Sequence, residues 1–299
     1  MWHFISDHVS QAKHREFICD SVKPLHQQHE CASYQIRSGD QRYFAKIRTG
    51  THQKSERDTA QLHAEADSLN ALRCSDSFKV PEVICVGWCD EETVSYEYLI
   101  LEFVGFKPPS NALWKHAGEA LATLHKHPPK GTTDYGWPTD NWVGSTPQFN
   151  KTNAHWRDFY FNQRLKPLLD ALHAQDKLRE LSLEDAFELT HVLHSHQPTP
   201  CLLHGDLWRG NLGFTRSHVV VFDPAVYVGD REIDLAMARL FQGFASSFFE
   251  AYAATWPLNE GVERRLPLYQ LYPMLNHLLL FGDTYRAQVL ALLEECRAH

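Results

Sequence analysis

Apolar and polar positions follow two regimes along the chain: short β-like runs come first and long helical stretches later. Met1 to Lys13 reads as an amphipathic helix. Phe17 to Val22, Ser33 to Arg37 and Arg42 to Arg48 read as strands, the last two joined into a hairpin by Ser38-Gly39-Asp40. Ser55 to Leu72 carries Leu62, Ala66, Leu69 and Leu72 at helical spacing, and Val83 to Trp88 and Val94 to Phe103 are two further strands. The pattern predicts a small, mainly antiparallel sheet with one packed helix over residues 1–105.

Beyond Lys107-Pro108-Pro109 helical periods dominate: Asn111 to His125, Ala154 to His173, Leu183 to His194, Ile233 to Gln242 and Leu266 to Phe281. The shift near residue 105 predicts a domain boundary there, with a larger, mainly helical unit over 106–299 and an α+β chain overall. Two irregular stretches interrupt the helices. One is a Gly/Pro/Thr-rich loop from Pro128 to Asn150. The other runs from Leu202 to Asp234, where strand-like Leu202-Leu203 and Val219 to Phe222 flank tight turns. Irregular segments of that length in a compact domain are usually functional.

Composition narrows the class. The 29 basic and 37 acidic residues leave a net charge of −8, which argues against a nucleic-acid partner. Apolar residues make up 43% and charged ones 22%, as in an ordinary globular protein. The longest apolar runs, Tyr98 to Phe106 and Met274 to Phe281, fall short of the roughly 18 residues a membrane span needs. The opening MWHFISDHVS lacks a basic segment followed by an apolar one, so no signal peptide and a cytoplasmic location are expected. Seven cysteines, an odd number without C-x-x-C spacing, fit a reduced compartment. Cys85 and Cys89 lack a second pair at zinc-finger distance, and the nineteen histidines form no H-E-x-x-H pair.

The strongest chemical signal is His204-Gly205-Asp206-Leu207-Trp208-Arg209-Gly210-Asn211, followed by Val219-Val220-Val221-Phe222-Asp223. Asp206 and Asn211 are separated by four residues, the spacing at which an aspartate handles an acceptor hydroxyl and an asparagine binds a metal. Asp223 ends an apolar strand, as a second metal-binding aspartate does. Alone, Asp206 and Asn211 also read as turn-formers that cap backbone amides; the strand-borne Asp223 at short range tips the reading toward phosphoryl transfer. Two hard oxygen ligands, Asn211 and Asp223, suit Mg²⁺. In Tyr43-Phe44-Ala45-Lys46-Ile47 a lysine sits on an apolar strand and needs a partner. Glu65, nineteen residues on, falls within the arc of Leu62, Ala66 and Leu69 and so faces the sheet.

These segments resemble the fructosamine kinase (ketosamine kinase) family, a branch of the protein-kinase-like fold beside aminoglycoside and choline kinases. HGDLWRGN, FDPAVYVGDREIDLAM, DNWVGSTPQFN and the tail WPLNEGVERRLPLYQLYPMLNHLLLFG carry the resemblance, which spans nearly the whole chain. It implies a two-lobed kinase-like fold and an ATP- and Mg²⁺-dependent kinase that phosphorylates the third-carbon hydroxyl of a ketosamine such as a fructosamine or ribulosamine. The adduct then tends to eliminate phosphate and release the amine, implying repair of glycated amines or proteins by a monomer or weak homodimer without a membrane or nucleic-acid partner. Carried over by position, Lys46 contacts the α- and β-phosphates and Glu65 orients it. The Glu102 carbonyl and Val104 amide read adenine, Asp206 positions or deprotonates the sugar hydroxyl, and Asn211 and Asp223 hold Mg²⁺. Trp208, Asp140 and Asn141 are candidates for the sugar pocket, and Asp230, Arg231 and Glu232 are placed at the same cleft. Asp234 and His204 are expected to brace the catalytic loop.

One departure stands out. Where the family places glycines over the phosphates, this chain has Pro24-Leu25-His26-Gln27-Gln28-His29-Glu30-Cys31, so weaker nucleotide affinity is expected. Cys31 reads either as a small hydrophobe or, were its pKa lowered by nearby histidines, as a redox-sensitive thiol. The competing functional readings are a related phosphotransferase acting on an aminoglycoside, choline or a homoserine-like alcohol, and a nucleotide-binding pseudokinase.

Overall fold

Alternation along the third strand sets up the smaller lobe: Ala45 and Ile47 are buried on one side of the sheet, while Phe44 and Lys46 take the other. The computed structural model describes residues 1–28, 31–50, 60–92 and 94–298. Its first part comprises α1 (Trp2–Lys13), β1 (Ser21–Gln28), β2 (Cys31–Ser38), β3 (Gln41–Gly50), α2 (Gln61–Arg73), β4 (Val83–Asp90) and β5 (Ser95–Glu102). The five strands form one antiparallel sheet in the order β1-β2-β3-β5-β4. Helix α1 covers one face through Ile5 and Val9, packed with Ile36, Ala45, Tyr98 and Ile100; α2 covers the other through Leu62, Ala66, Leu69 and Leu72, packed with Leu99 and Leu101.

The first strand lies later than the hydrophobic pattern predicts. Phe17, expected to open a strand, is buried under α1 instead, and β1 runs through the polar Lys23–Gln28 stretch. An edge strand escapes the usual pattern because its outer side needs no apolar cover, and it tolerates Pro24, opposite Tyr34. The β1–β2 hairpin therefore forms without glycine up to Gln28 and Cys31; His29 and Glu30 at its tip, and residues 55–59 of the expected second helix, lie outside the described residues.

A connection over 103–110 leads to α3 (Asn111–Lys126), the small hairpin β6 (Asn141–Val143) and β7 (Thr146–Gln148), α4 (Trp156–Tyr160), α5 (Lys166–Ala174) and α6 (Leu183–Leu189). Two short ladders follow, β8 (Cys201–Leu203) with β11 (Tyr227–Gly229), and β9 (Leu212–Phe214) with β10 (Val219–Val221). Helices α7 (Glu232–Leu240), α8 (Ser246–Thr255), α9 (Val262–Phe281) and α10 (Arg286–Arg297) complete the larger lobe. The hydrophobic pattern leaves out α8 and α10, and it reads as one helix what is α4, a π-helical turn at Phe161–Leu165 and α5. Gly118 lets α3 and α8 meet closely, since a Cβ there would stand 2.1 Å from the Phe248 carbonyl oxygen. One apolar cluster joins the lobes: Leu62, Leu69 and Leu99 pack in the same body as Leu207, Leu212, Val221 and Leu235. Among the described residues no helix is long and apolar enough to cross a membrane.

Candidate active site

The register of two three-residue ladders assembles the centre. Pairing of Leu212 with Val221 places Asn211 and Asp223 at the open end of one hairpin, where the Phe222 amide donates to the Asn211 carbonyl at 3.2 Å. Pairing of Leu203 with Tyr227 brings His204 beside Ala225, whose amide donates to the His204 carbonyl at 2.9 Å. Buried Leu207 anchors the loop in the core and leaves Asp206 and Trp208 facing outward. Gly205 has φ +81°, and a Cβ there would stand 2.0 Å from the Ala225 carbonyl oxygen, so only glycine fits. Asp223 itself sits at φ 53°, a left-handed conformation uncommon outside glycine but tolerated by aspartate.

Asp234, wholly buried at the start of α7, accepts from the Gly205 amide at 2.9 Å, the His204 amide at 2.8 Å and His125 at 3.1 Å. Burial alone would raise its pKa, but those donors and the neighbouring imidazoles hold it below the usual carboxylate value. Burial pushes the His204 pKa down. A neutral ring fits its contacts, with Nε2 donating to the Phe222 carbonyl at 3.1 Å and Nδ1 accepting from the Asp206 amide at 3.3 Å. The loop is thus tied through the His204 ring to the backbone of Phe222, the residue before Asp223.

Lys46 crosses from the sheet to this loop. Its ammonium lies 2.8 and 2.9 Å from the two Glu65 oxygens and 2.6 Å from Asp223 Oδ1. Burial opposes the ammonium, but Asp223 and Glu65 outweigh it and raise the Lys46 pKa, so it is held as a cation. Burial, with the Asp223 charge, lifts Glu65 to about 7 against the pull of Lys46. Burial and the Asp223 charge likewise lift Asp206 to about 7, while its hydrogen bond from Asn211 Nδ2, 3.0 Å from Oδ2, works the other way. The same amide nitrogen reaches the carbonyls of Asp206 at 2.9 Å and Asp223 at 3.3 Å. A cavity of about 210 Å³ is lined by Lys46, Glu65, Asp206, Trp208, Asn211 and Asp223. Three carboxylates there face one ammonium, an excess of negative charge with hard oxygen donors that suits a divalent cation such as Mg²⁺.

A second, larger cavity of about 680 Å³ adjoins the first and shares Asp206, Trp208 and Gly144 with it. Phe241, His277, Phe281 and Tyr285 line its outer part. Sequence reasoning missed these residues, since no spacing rule joins α7, α9 and the turn after α9. It also missed Gln61, whose side-chain amide donates to the Gly144 carbonyl and so links α2 to the β6–β7 hairpin.

The other expected residues are placed as follows. Glu102 ends β5 and Val104 follows on the interlobe connection; the Glu102 carboxylate is held by Lys79 at 2.6 Å and its amide donates to the Glu82 carbonyl at 2.9 Å. Asn141 reaches the smaller cavity, but its amide is engaged by the Val226 carbonyl at 2.7 Å and by Gln148 and Asn150 at 2.8 and 3.1 Å. Asp140 accepts from the Asn150 amide at 2.7 Å, holding the loop. Arg164, buried on the π-helical turn, holds the same loop through Asn150 at 2.8 Å and stacks 3.9 Å over Tyr227. Asp230 and Arg231, expected at the cleft, line neither cavity and face away. Asp230 binds His196 and Tyr269, both at 2.6 Å, and Arg231 binds the Trp256 carbonyl at 2.9 Å and stacks on that ring. Their segment continues from β11 into α7, whose first turn is buried, so these charges are drawn into the helical core. Cys31 is half-buried opposite Arg48, and burial raises its pKa, the reverse of what a redox-sensitive thiol needs.

Similarity to known proteins extends over the whole chain. The sequence model of the family described as Fructosamine kinase covers residues 1–299. The chain belongs to that family. It is 34% identical to a probable ketoamine kinase of Synechocystis sp., over 99% of this chain and 96% of that protein. A Haemophilus somnus protein assigned as a fructosamine-3-kinase superposes with a TM-score of 0.90 at 27% identity, covering 99% of this chain and 97% of the other. Aminoglycoside phosphotransferase APH(4)-Ia, solved as a mutant with AMP-PNP and hygromycin B, shares the fold alone, with a TM-score of 0.66 at 15% identity over 98% of this chain and 97% of that one. This fructosamine kinase family member is therefore an enzyme of the kinase class with the two-lobed kinase-like fold, and a sugar-amine kinase by descent.

Proposed function

We propose that this enzyme transfers the γ-phosphoryl group of ATP, with Mg²⁺, to the third-carbon hydroxyl of a ketosamine such as a fructosamine or ribulosamine. The observation that carries this reading is Lys46 meeting both Glu65 and Asp223 in a crevice also lined by Asp206 and Asn211. Asn211 and Asp223 would hold Mg²⁺, which supplies positive charge against the phosphates. Lys46, oriented by Glu65, would hold the α- and β-phosphates, while the Glu102 carbonyl and Val104 amide would read the adenine edge. Asp206 orients the acceptor hydroxyl and takes its proton as the oxygen–phosphorus bond forms and the bond from the γ-phosphorus to the bridging oxygen of the departing ADP breaks. Trp208 faces the sugar, and Asp140 and Asn141 act by holding the loop beside it. The phosphorylated adduct then eliminates phosphate and frees the amine, a repair of glycated amines or proteins.

The relatives named as ketoamine kinases support the acceptor class, and the AMP-PNP complex of a fold neighbour supports the nucleotide. An aminoglycoside acceptor is disfavoured by the larger cavity, where Asp206 is the sole carboxylate among the described lining residues; a polycation calls for an acidic wall. ADP release with Mg-ATP over ketosamines of different sugar length, set against an aminoglycoside and choline, tests the reading. Turnover of a ketosamine is expected, and turnover of the others alone would refute it. A raised melting midpoint with Mg-ATP, but no turnover across that panel, would instead favour a pseudokinase.

A further inference from the structure

We infer that the larger cavity is an amine-side subsite, selecting ketosamines whose nitrogen carries an aromatic or large apolar group. This rests on the acceptor reading above. From Asp206 outward the wall is a chain of rings. Trp208 stands 6.5 Å from Phe241, Phe241 is 4.8 Å from His277, and His277 is 5.4 Å from Phe281 and 5.0 Å from Tyr285. Trp208 and Phe281 are 41% and 43% exposed, so their faces are available at the cavity rather than consumed by the core. At about 680 Å³ the space is in the range of small-molecule sites and large enough for more than a sugar.

Its charges are as telling as its rings. Arg209 lines the cavity, but its guanidinium turns away: one nitrogen donates to the Leu212 carbonyl, and the group lies 5.5 Å over Trp114 and 5.4 Å over Phe214. Burial, which favours the neutral ring, holds the His277 pKa below its usual value against the pull of the Pro273 carbonyl 2.7 Å from Nδ1. The wall therefore offers aromatic faces without a competing cation. A ketosamine nitrogen is a protonated secondary amine one bond from the sugar carbons. With the sugar hydroxyl at Asp206, that ammonium falls among ring faces, which attract it, and its substituent extends toward Phe281 and Tyr285. The polar lining groups Arg209 and Asn276 are engaged with Leu212, Thr146 and Val143, so a carboxylate end has to compete for them, whereas a ring displaces water from apolar surface.

The test uses the benzylamine and glycine ketosamines of one sugar, with kcat/KM from ADP release and binding from the melting midpoint. The benzylamine adduct is expected to exceed the glycine adduct about tenfold in kcat/KM and to bind more tightly. Phe281→Ala and Tyr285→Ala, each checked for an unshifted ligand-free midpoint, should narrow that ratio toward one, while Phe281→Trp should keep it. A wild-type ratio near one, or a ratio unmoved in both alanine variants, overturns the inference. Ring-graded binding without turnover of either adduct upholds the subsite and sinks the phosphoryl-transfer reading instead.

Discussion

Two ionic networks lie on either side of the loop over residues 204–211, and they are built to opposite ends. In the crevice, Asp206, Glu65 and Asp223 outnumber Lys46, and the group opens onto a cavity. Behind the loop, Arg265 grips both oxygens of Glu232 at 2.7 and 2.6 Å, while Asp230 accepts from His196, Tyr269 and the Glu232 amide. His196, Asp230 and Glu232 bring ligand atoms within 4.8 Å of one another, yet every one of those carboxylate oxygens already has a protein partner. A saturated network fixes geometry. The crevice group carries more carboxyl groups than cations among the described residues, and burial makes that imbalance costly enough to lift two acids to about 7.

Breaking each network should therefore give different phenotypes. Asp206→Asn should cut turnover at least about a hundredfold, the usual range for losing a general base, with nucleotide affinity little changed; equal turnover would remove Asp206 from the chemistry. Glu232→Ala leaves Arg265 buried without its carboxylate and should lower stability by about 3–5 kcal/mol, read from denaturant unfolding, while Mg-ATP affinity of the folded fraction holds. If nucleotide binding falls in step at full folding, the two networks are not separate.

A pH series sharpens the contrast. The folded-state values of Asp206 and Glu65 lie above their ordinary ones, so between about 4 and 7 these two groups bind more protons in the folded protein than in the unfolded chain, while buried His204 and His277, shifted down, work the other way at the upper end. Their contribution to stability is full below that window and is lost as pH rises through it. The melting midpoint of the ligand-free enzyme should drift down across this range, and Asp206→Asn should flatten the drift; Mg-ATP, supplying the missing positive charge, should flatten it as well. The smallest effect is expected for Trp208→Ala, which should raise the acceptor KM several-fold and leave that for ATP nearly unchanged. An unmoved acceptor KM would make Trp208 a loop support only.

The sequence by itself determined which side chains the crevice gathers, because their arrangement is largely local. Asp206 and Asn211 share one loop, Asn211 and Asp223 flank one hairpin, and the apolar arc of α2 turns Glu65 to the sheet whatever lies beyond it. The run Asp230-Arg231-Glu232 shows where that stops: charges at a helix start look alike whether they face a cleft or a core, and only the packing of α7 against α9 settles which. Contacts between distant elements were likewise decided by tertiary structure. Lys46 and Asp223, 177 positions apart, meet because the sheet docks on the helical lobe through the shared apolar cluster. The ring-lined cavity exists because α7, α9 and the catalytic loop converge. Spacing within an element is fixed by backbone geometry, whereas the distance between elements is fixed by which apolar faces they bury together.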